Sequence, residues 1–172
     1  MKSKISIEAI KTLRDKTGAP MGDVKRALEA AAGNESKAIE LLKQQGFEAA
    51  RKRQARATSA GRIESYVHHD GKMGALIEIN CETDFVARTS DFSQFLKDVA
   101  LHVAAMAPKY VTADEVPAGT ALSDEERKTQ VLLEQPFVKD PGTTIGDLLK
   151  TLIAKTGENV VIKRVTRFGL GE

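Results

Sequence analysis

At Gly61 the spacing of apolar residues changes from threes and fours to twos, and that switch constrains the fold more than any other feature of the chain. Before it, Ser6 is placed to cap a helix with Ile7, Ile10 and Leu13 on one face, ended by Thr17-Gly18. Pro20 suits the first turn of a second helix carrying Met21, Val24, Ala27 and Leu28, with Gly33 just past its end. Asn34 caps a third, which turns Ala38, Leu41 and Leu42 inward and is expected to stop at Gly46. Helices of about three turns are unstable alone, so these must bury their apolar stripes against one another.

After Gly61, Ile63, Ser65 and Val67 alternate toward one side; Leu76 with Glu78, and Ile77 with Ile79, alternate again beyond Asp70-Gly71. This pattern predicts an antiparallel hairpin over about 62–69 and 73–81. A helix over 92–107 follows, with Phe92, Phe95, Leu96, Val99, Val103 and Met106 on one face, Asp91 as the expected cap and Pro108 as the stop. Ser123 and Glu126 form a capping box for a short helix, and Pro136 makes VLLEQPFV an edge element or an extended loop. Thr144 opens a last helix carrying Ile145, Leu148, Leu149, Leu152 and Ile153, ended by Gly157. Residues 158–168, ENVVIKRVTRF, read as a further strand of the same sheet. The fold class expected is α+β: a three-helix module at 1–46, a basic helical linker at 47–60, and a core of antiparallel sheet packed against helices at 61–172.

Composition narrows the function. The 26 Lys+Arg nearly balance the 24 Asp+Glu, so a strongly basic nucleic-acid binder is disfavoured. Arg51, Lys52, Arg53 and Arg56 crowd together without interleaved aromatics; they read either as a phosphate-binding tract or as a solvated helical linker. The longest apolar run, Val103 to Ala107, is far too short to span a membrane, and MKSKISIEAIKTLRDK lacks the apolar stretch of a secretory signal. A soluble cytoplasmic protein is expected. Cys81 is the single cysteine, so neither an internal disulfide nor a Cys-based zinc site is available. His68 and His69 point to opposite faces of a strand, and His102 lies on the apolar helix. No phosphate loop and no convergent acid, base and nucleophile set occurs, so no catalytic residue, metal ligand, cofactor or direct nucleotide binding is expected. One segment stands apart. CETDFVAR, residues 81–88, puts Asp84 beside Phe85 between strand and helix, where turns ordinarily carry small polar residues. Phe85 either tucks under the sheet or projects as an acid–aromatic wedge.

At these residues the chain resembles the elongation factor Ts family, the guanine-nucleotide exchange factors for elongation factor Tu. LRDKTGAPMGDVKRALEAAAGN (13–34) is similar to the family's N-terminal signature, and NCETDFVAR (80–88) to its most characteristic motif. SYVHHDGKMG, HVAAMAPKYV, LLEQPFVKD and KTGENVVIKR extend the match over nearly the whole chain. The resemblance implies a ubiquitin-associated-like fold for residues 1–46 and a role in binding elongation factor Tu·GDP, displacing its magnesium ion and promoting GDP release. By motif it makes Thr83, Asp84, Phe85 and Val86 the group that intrudes near the magnesium site. Leu13, Arg14, Thr17, Gly18 and Met21 of the N-terminal signature, His68 of SYVH, and Thr156 and Gly157 of KTGEN become further contacts to the GTPase. Where the family commonly has GAGMMD, this chain has Gly18-Ala19-Pro20-Met21-Gly22-Asp23, one methionine fewer and stiffened at Pro20. The chain resembles the short members with one core repeat, and it is abbreviated around Ser123 to Thr129. Longer members pair two repeats, so a homodimer is expected here. The competing class is a ubiquitin-associated-type adaptor or an RNA-binding protein acting through residues 51–56.

Overall fold

A computed structural model describes residues 5–172; residues 1–4 of the expected N-terminal module lie outside the described residues. Helix α1 (Ile7–Thr17) begins where the Ser6 hydroxyl accepts the Ala9 N–H, and it ends at Gly18 in the left-handed region. Helices α2 (Met21–Ala30) and α3 (Glu35–Arg53) complete the module. Ile10, Leu13, Val24, Ala27, Leu28, Ala38 and Leu42 form a small core of their own, as the apolar spacing requires. Helix α3 corrects one expectation. It does not stop at Gly46 but runs straight through it for another seven residues, so the expected linker at 47–60 begins as a continuation of α3. The reason is tertiary: a Cβ at Gly46 would lie 2.9 Å from the Ala154 Cβ, so glycine is there to let two helices approach closely. A glycine inside a helix costs about 1 kcal/mol, and docking offsets it. Beyond that contact Ala50 enters the main core, and the Lys150 ammonium sits 4.8 Å from the centre of the Phe47 ring.

The main core is built on a three-stranded antiparallel sheet of β1 (Ala60–Val67), β2 (Met73–Cys81) and β5 (Val160–Gly169), with β2 central. The hairpin pairs Ala60 with Cys81 at one end and Val67 with Gly74 at the other. Between β2 and β5 the register shifts at Glu78/Ile79, where Lys163 is the extra residue. The inner face presents Ala75, Ile77, Ile79, Val160 and Ile162 to helix α5 (Ser90–Met106), which contributes Phe92, Phe95, Leu96, Val99 and Val103. Its cap is Thr89, whose hydroxyl accepts the Phe92 N–H. The expected cap, Asp91, instead forms a 2.6 Å ion pair with Lys155. Helix α7 (Ile145–Thr156), capped by Thr144 and closed by Gly157, packs between α3 and α5. A short helix α6 (Asp124–Gln130) starts with the Ser123–Glu126 capping box. The Pro136 segment proves to be part of a second, two-stranded sheet, β3 (Pro136–Phe137) with β4 (Asp140–Thr144).

Two features complete the frame. His102 is fully buried, accepting the Val138 N–H at Nδ1 (3.2 Å) and donating from Nε2 to the Gln135 Oε1 (2.9 Å). The opposite face of the main sheet is uncovered, with Ile63, Val67, Leu76 and Phe168 exposed. No helix among the described residues is long and apolar enough to cross a membrane.

Candidate functional site

The segment after β2 is not a loop, and only its Val86 and Ala87 side chains join the main core. It forms a single helical turn, α4 (Asp84–Ala87), capped by Thr83. The sequence folds this way because the Thr83 hydroxyl accepts the Val86 N–H at 3.4 Å while Val86 and Ala87 turn inward. With those two side chains buried at a spacing of one residue, the preceding position in the turn must face outward. Phe85 is there, 81% exposed, with Asp84 and Arg88 exposed beside it. Of the four residues expected to intrude, Thr83, Asp84 and Phe85 are exposed, whereas Val86 is 5% exposed and serves as the anchor beneath them.

Thr83 is held from a distant part of the chain. The Glu158 carboxylate accepts the Thr83 N–H at 3.0 Å through one oxygen and the Thr83 hydroxyl at 2.6 Å through the other. The Cys81 thiol donates to the Thr83 carbonyl at 3.2 Å. Burial, and then the charge of Glu158, push that thiol above its ordinary pKa, so Cys81 is a poor nucleophile. Glu82, next in line, accepts the Asn159 N–H at 2.6 Å and pairs with Arg56 at 3.4 Å. The Asn159 amide in turn donates to the Gln54 and Arg56 carbonyls.

The remaining expected contacts fall in two other places. Thr17, Thr156 and Gly157 line one cleft of about 690 Å³ between the α1–α2 turn, α3 and the end of α7, and Gly18 adjoins it without lining it. Gly18 and Gly157 both have positive φ, 66° and 75°, and the Lys155 stem lies across Gly18, where a Cβ would come within 2.7 Å of it. Arg14 and Met21 are exposed on the adjoining helical surface. Leu13, at 1% exposure, belongs to the core of the helical module, so its side chain does not form part of that surface. His68 sits at the far end of β1, its Nδ1 3.0 Å from the Tyr66 hydroxyl and its ring 4.2 Å from that of His69. Eight strand residues separate it from the Cys81 end, roughly 25 Å at the usual rise.

No local pattern marks Glu158, Asn159 or Glu82, because the bonds from Glu158 to Thr83 and from Asn159 to Glu82 join residues 75 and 77 apart in the chain. The only local hint was their position, directly after a helix-ending glycine and a strand end. The basic tract is divided: Arg51, Lys52 and Arg53 fill the last turn of α3, where the helix dipole favours cations, and Arg56 pairs with Glu82. Among the described residues no group of three or more His, Cys, Asp or Glu side chains converges to hold a metal ion.

Comparison with known proteins gives a consistent picture. The sequence profile of the family described as Elongation factor TS matches residues 21–130. The chain is 44% identical to Elongation factor Ts of Rubrobacter xylanophilus, covering 95% of this chain and 98% of the relative. It is 43% identical to the protein of that name from Carboxydothermus hydrogenoformans, over 98% and 90% of the two chains. The relative from Fervidobacterium nodosum is 43% identical over 98% of this chain and 100% of its own.

Proposed function

The chain belongs to the elongation factor Ts family of translation elongation factors, and on that footing we propose that it is a guanine-nucleotide exchange factor acting on elongation factor Tu·GDP. The observation that carries this reading is Phe85, a large aromatic 81% exposed on a capped and anchored turn. A ring held in water on a stiff support is suited to entering a partner's apolar crevice. Elongation factor Tu holds GDP through phosphate contacts and a magnesium ion. In the proposed mechanism the Phe85 ring parts two elements beside that ion while Asp84 competes for the hydrogen bonds around it. The coordination is lost and GDP leaves. This chain makes and breaks no covalent bond.

Exchange is then a matter of linkage. A partner that favours the empty GTPase over the GDP-loaded one weakens GDP binding by the same factor. A coupling of about 4 kcal/mol corresponds to roughly a thousandfold in affinity. Three separated surfaces would share the grip: the helical module with Arg14 and Met21, the Asp84–Phe85 tip, and the hairpin end at His68. The test is stimulated release of fluorescently labelled GDP from elongation factor Tu. Acceleration that saturates with added protein is expected; release no faster than the spontaneous rate overturns the reading.

The reading extends to a homodimer in the cytoplasm. Ile63, Val67, Leu76 and Phe168 make the outer sheet face apolar, and Glu78 and Arg164 pair on the same face at 2.6 Å. A second copy brought up by a two-fold axis offers that same patch, apolar against apolar and each charge near an opposite one.

A further inference from the structure

A four-residue helix has no stability of its own, so the pose of Phe85 depends on what holds α4 in place. From below, Val86 and Ala87 are buried, which fixes the turn's depth. Its direction is set at Thr83, the residue that caps it, and the groups controlling Thr83 are the two oxygens of Glu158. We propose that Glu158 is the positioning residue of the tip, holding Thr83 and through it Asp84 and Phe85 in the orientation that engages the GTPase. The proposal rests on the preceding reading of Phe85 as the inserted side chain.

The clamp has a definite logic. One carboxylate oxygen takes the Thr83 N–H, a donor that no helix carbonyl is placed to receive. The other takes the Thr83 hydroxyl hydrogen, which turns the hydroxyl's lone pairs toward the Val86 N–H and completes the cap. Glu158 is itself aimed by its neighbours. Gly157 reverses the chain in the left-handed region after α7, and the Glu158 N–H donates to the Thr156 hydroxyl at 3.4 Å. Asn159 fixes the other side of the loop through Glu82 and the carbonyls of Gln54 and Arg56. The loop from Thr156 to Asn159 therefore touches all three parts at once: the cleft, the tip and the exit of α3. These bonds lie at the surface, where they contribute little to global stability while governing local order.

A different role for the same carboxylate would be direct: a negative charge near Asp84 acting on the partner's cation. The glutamine variant separates the two. In Glu158→Gln the amide oxygen still accepts the Thr83 N–H, and the amide nitrogen can donate to the Thr83 hydroxyl oxygen, so the clamp survives without its charge. In Glu158→Ala the clamp is gone.

The experiment uses the full chain in two arms. Backbone relaxation and amide exchange of residues 83–86 report tip order without any partner, and saturating release of fluorescent GDP from elongation factor Tu reports function. Glu158→Ala is expected to disorder residues 83–86 with the melting temperature nearly unchanged. If the unclamped tip holds its competent pose about a tenth of the time, maximal stimulated release falls about tenfold. Glu158→Gln restores order and most of the rate. Adding Phe85→Ala to Glu158→Ala costs much less than Phe85→Ala alone costs in the wild type, because both act through one element. Unchanged tip order in Glu158→Ala overturns the proposal, as does a Glu158→Gln variant that is ordered yet as slow as the alanine form. Should Phe85→Ala leave release intact, the wedge fails, and with it the functional part of the proposal. Loss of tip order in Glu158→Ala would then still show the clamp acting as a structural anchor alone.

Discussion

Replacing Phe85 with alanine separates the wedge from the core reading, because the two assign its cost to different measurements. Truncating a fully buried phenylalanine costs about 3–5 kcal/mol of folding stability. Phe85 keeps only about a fifth of its surface out of water, so the same truncation removes on the order of 0.5–1 kcal/mol. For a chain of this length that is a fall in melting temperature of about 4 °C or less. Truncating an aromatic anchor at an interface costs about 2–4 kcal/mol, or roughly 30- to 1000-fold. Phe85→Ala is therefore expected to fold almost as the wild type does and to lose at least about thirtyfold in stimulated GDP release. Phe92→Ala is the control in the opposite direction. That ring is fully buried against the sheet, so its loss should lower the melting temperature by roughly 10 °C or prevent folding. The reasoning is refuted if Phe85→Ala melts as Phe92→Ala does, or if it releases GDP as fast as wild type at equal concentrations of folded protein.

Three further outcomes follow from the packing. Burial lowers the His102 pKa, against a smaller opposing effect of its bond to Gln135. The folded chain thus resists a proton that the unfolded chain accepts below its ordinary value of 6.5, so stability is full above pH 6.5 and declines below it. The decline is at most about 1.4 kcal/mol per pH unit; thermal melts between pH 7.5 and 5.5 should show it, and His102→Gln should remove this component. Gly46→Val places branched carbons against Ala154 and should loosen α3 from α7, read as faster amide exchange in α3 beyond residue 46 while the core of the helical module holds. Leu76→Lys, on the uncovered sheet face, should leave the melting temperature of the monomer nearly unchanged and shift sedimentation toward the monomer; a variant that still sediments as a dimer removes that face from the interface.

What the sequence made legible was local. The caps at Ser6, Asn34 and Thr144, the Asp-Gly turn, the capping box at Ser123 and the period switch at Gly61 each act over a few residues, and each produced the expected element. The failures share one cause. Gly46 looked like a stop because a glycine's meaning depends on whether another helix lies against it, and Ala154 is more than a hundred residues away. Asp91 was a reasonable cap until Thr89, two residues earlier, proved better placed and Lys155 claimed the carboxylate. At the candidate site, the order of residues in CETDFVAR singled out the Asp84–Phe85 pair but could not say which way the ring points. That depends on Val86 and Ala87 finding the core, which only the assembled sheet and α5 provide.

On the proposed function, the same locality would divide the work among the candidate contacts. Binding that is equal in the GDP-loaded and empty states raises occupancy without loosening nucleotide; only contacts that differ between those states drive release. Arg14 and Met21 lie on a module with its own core, and that module can dock as a rigid body whichever state the partner is in. The tip is different. It has one exposed ring, no core of its own, and an orientation set by a clamp on Thr83. In the proposed mechanism a group so placed gains contact only where the partner has opened to receive it. On the proposed function, the discriminating part of the binding energy would be concentrated in Asp84 and Phe85, with the helical module supplying the part that brings them there.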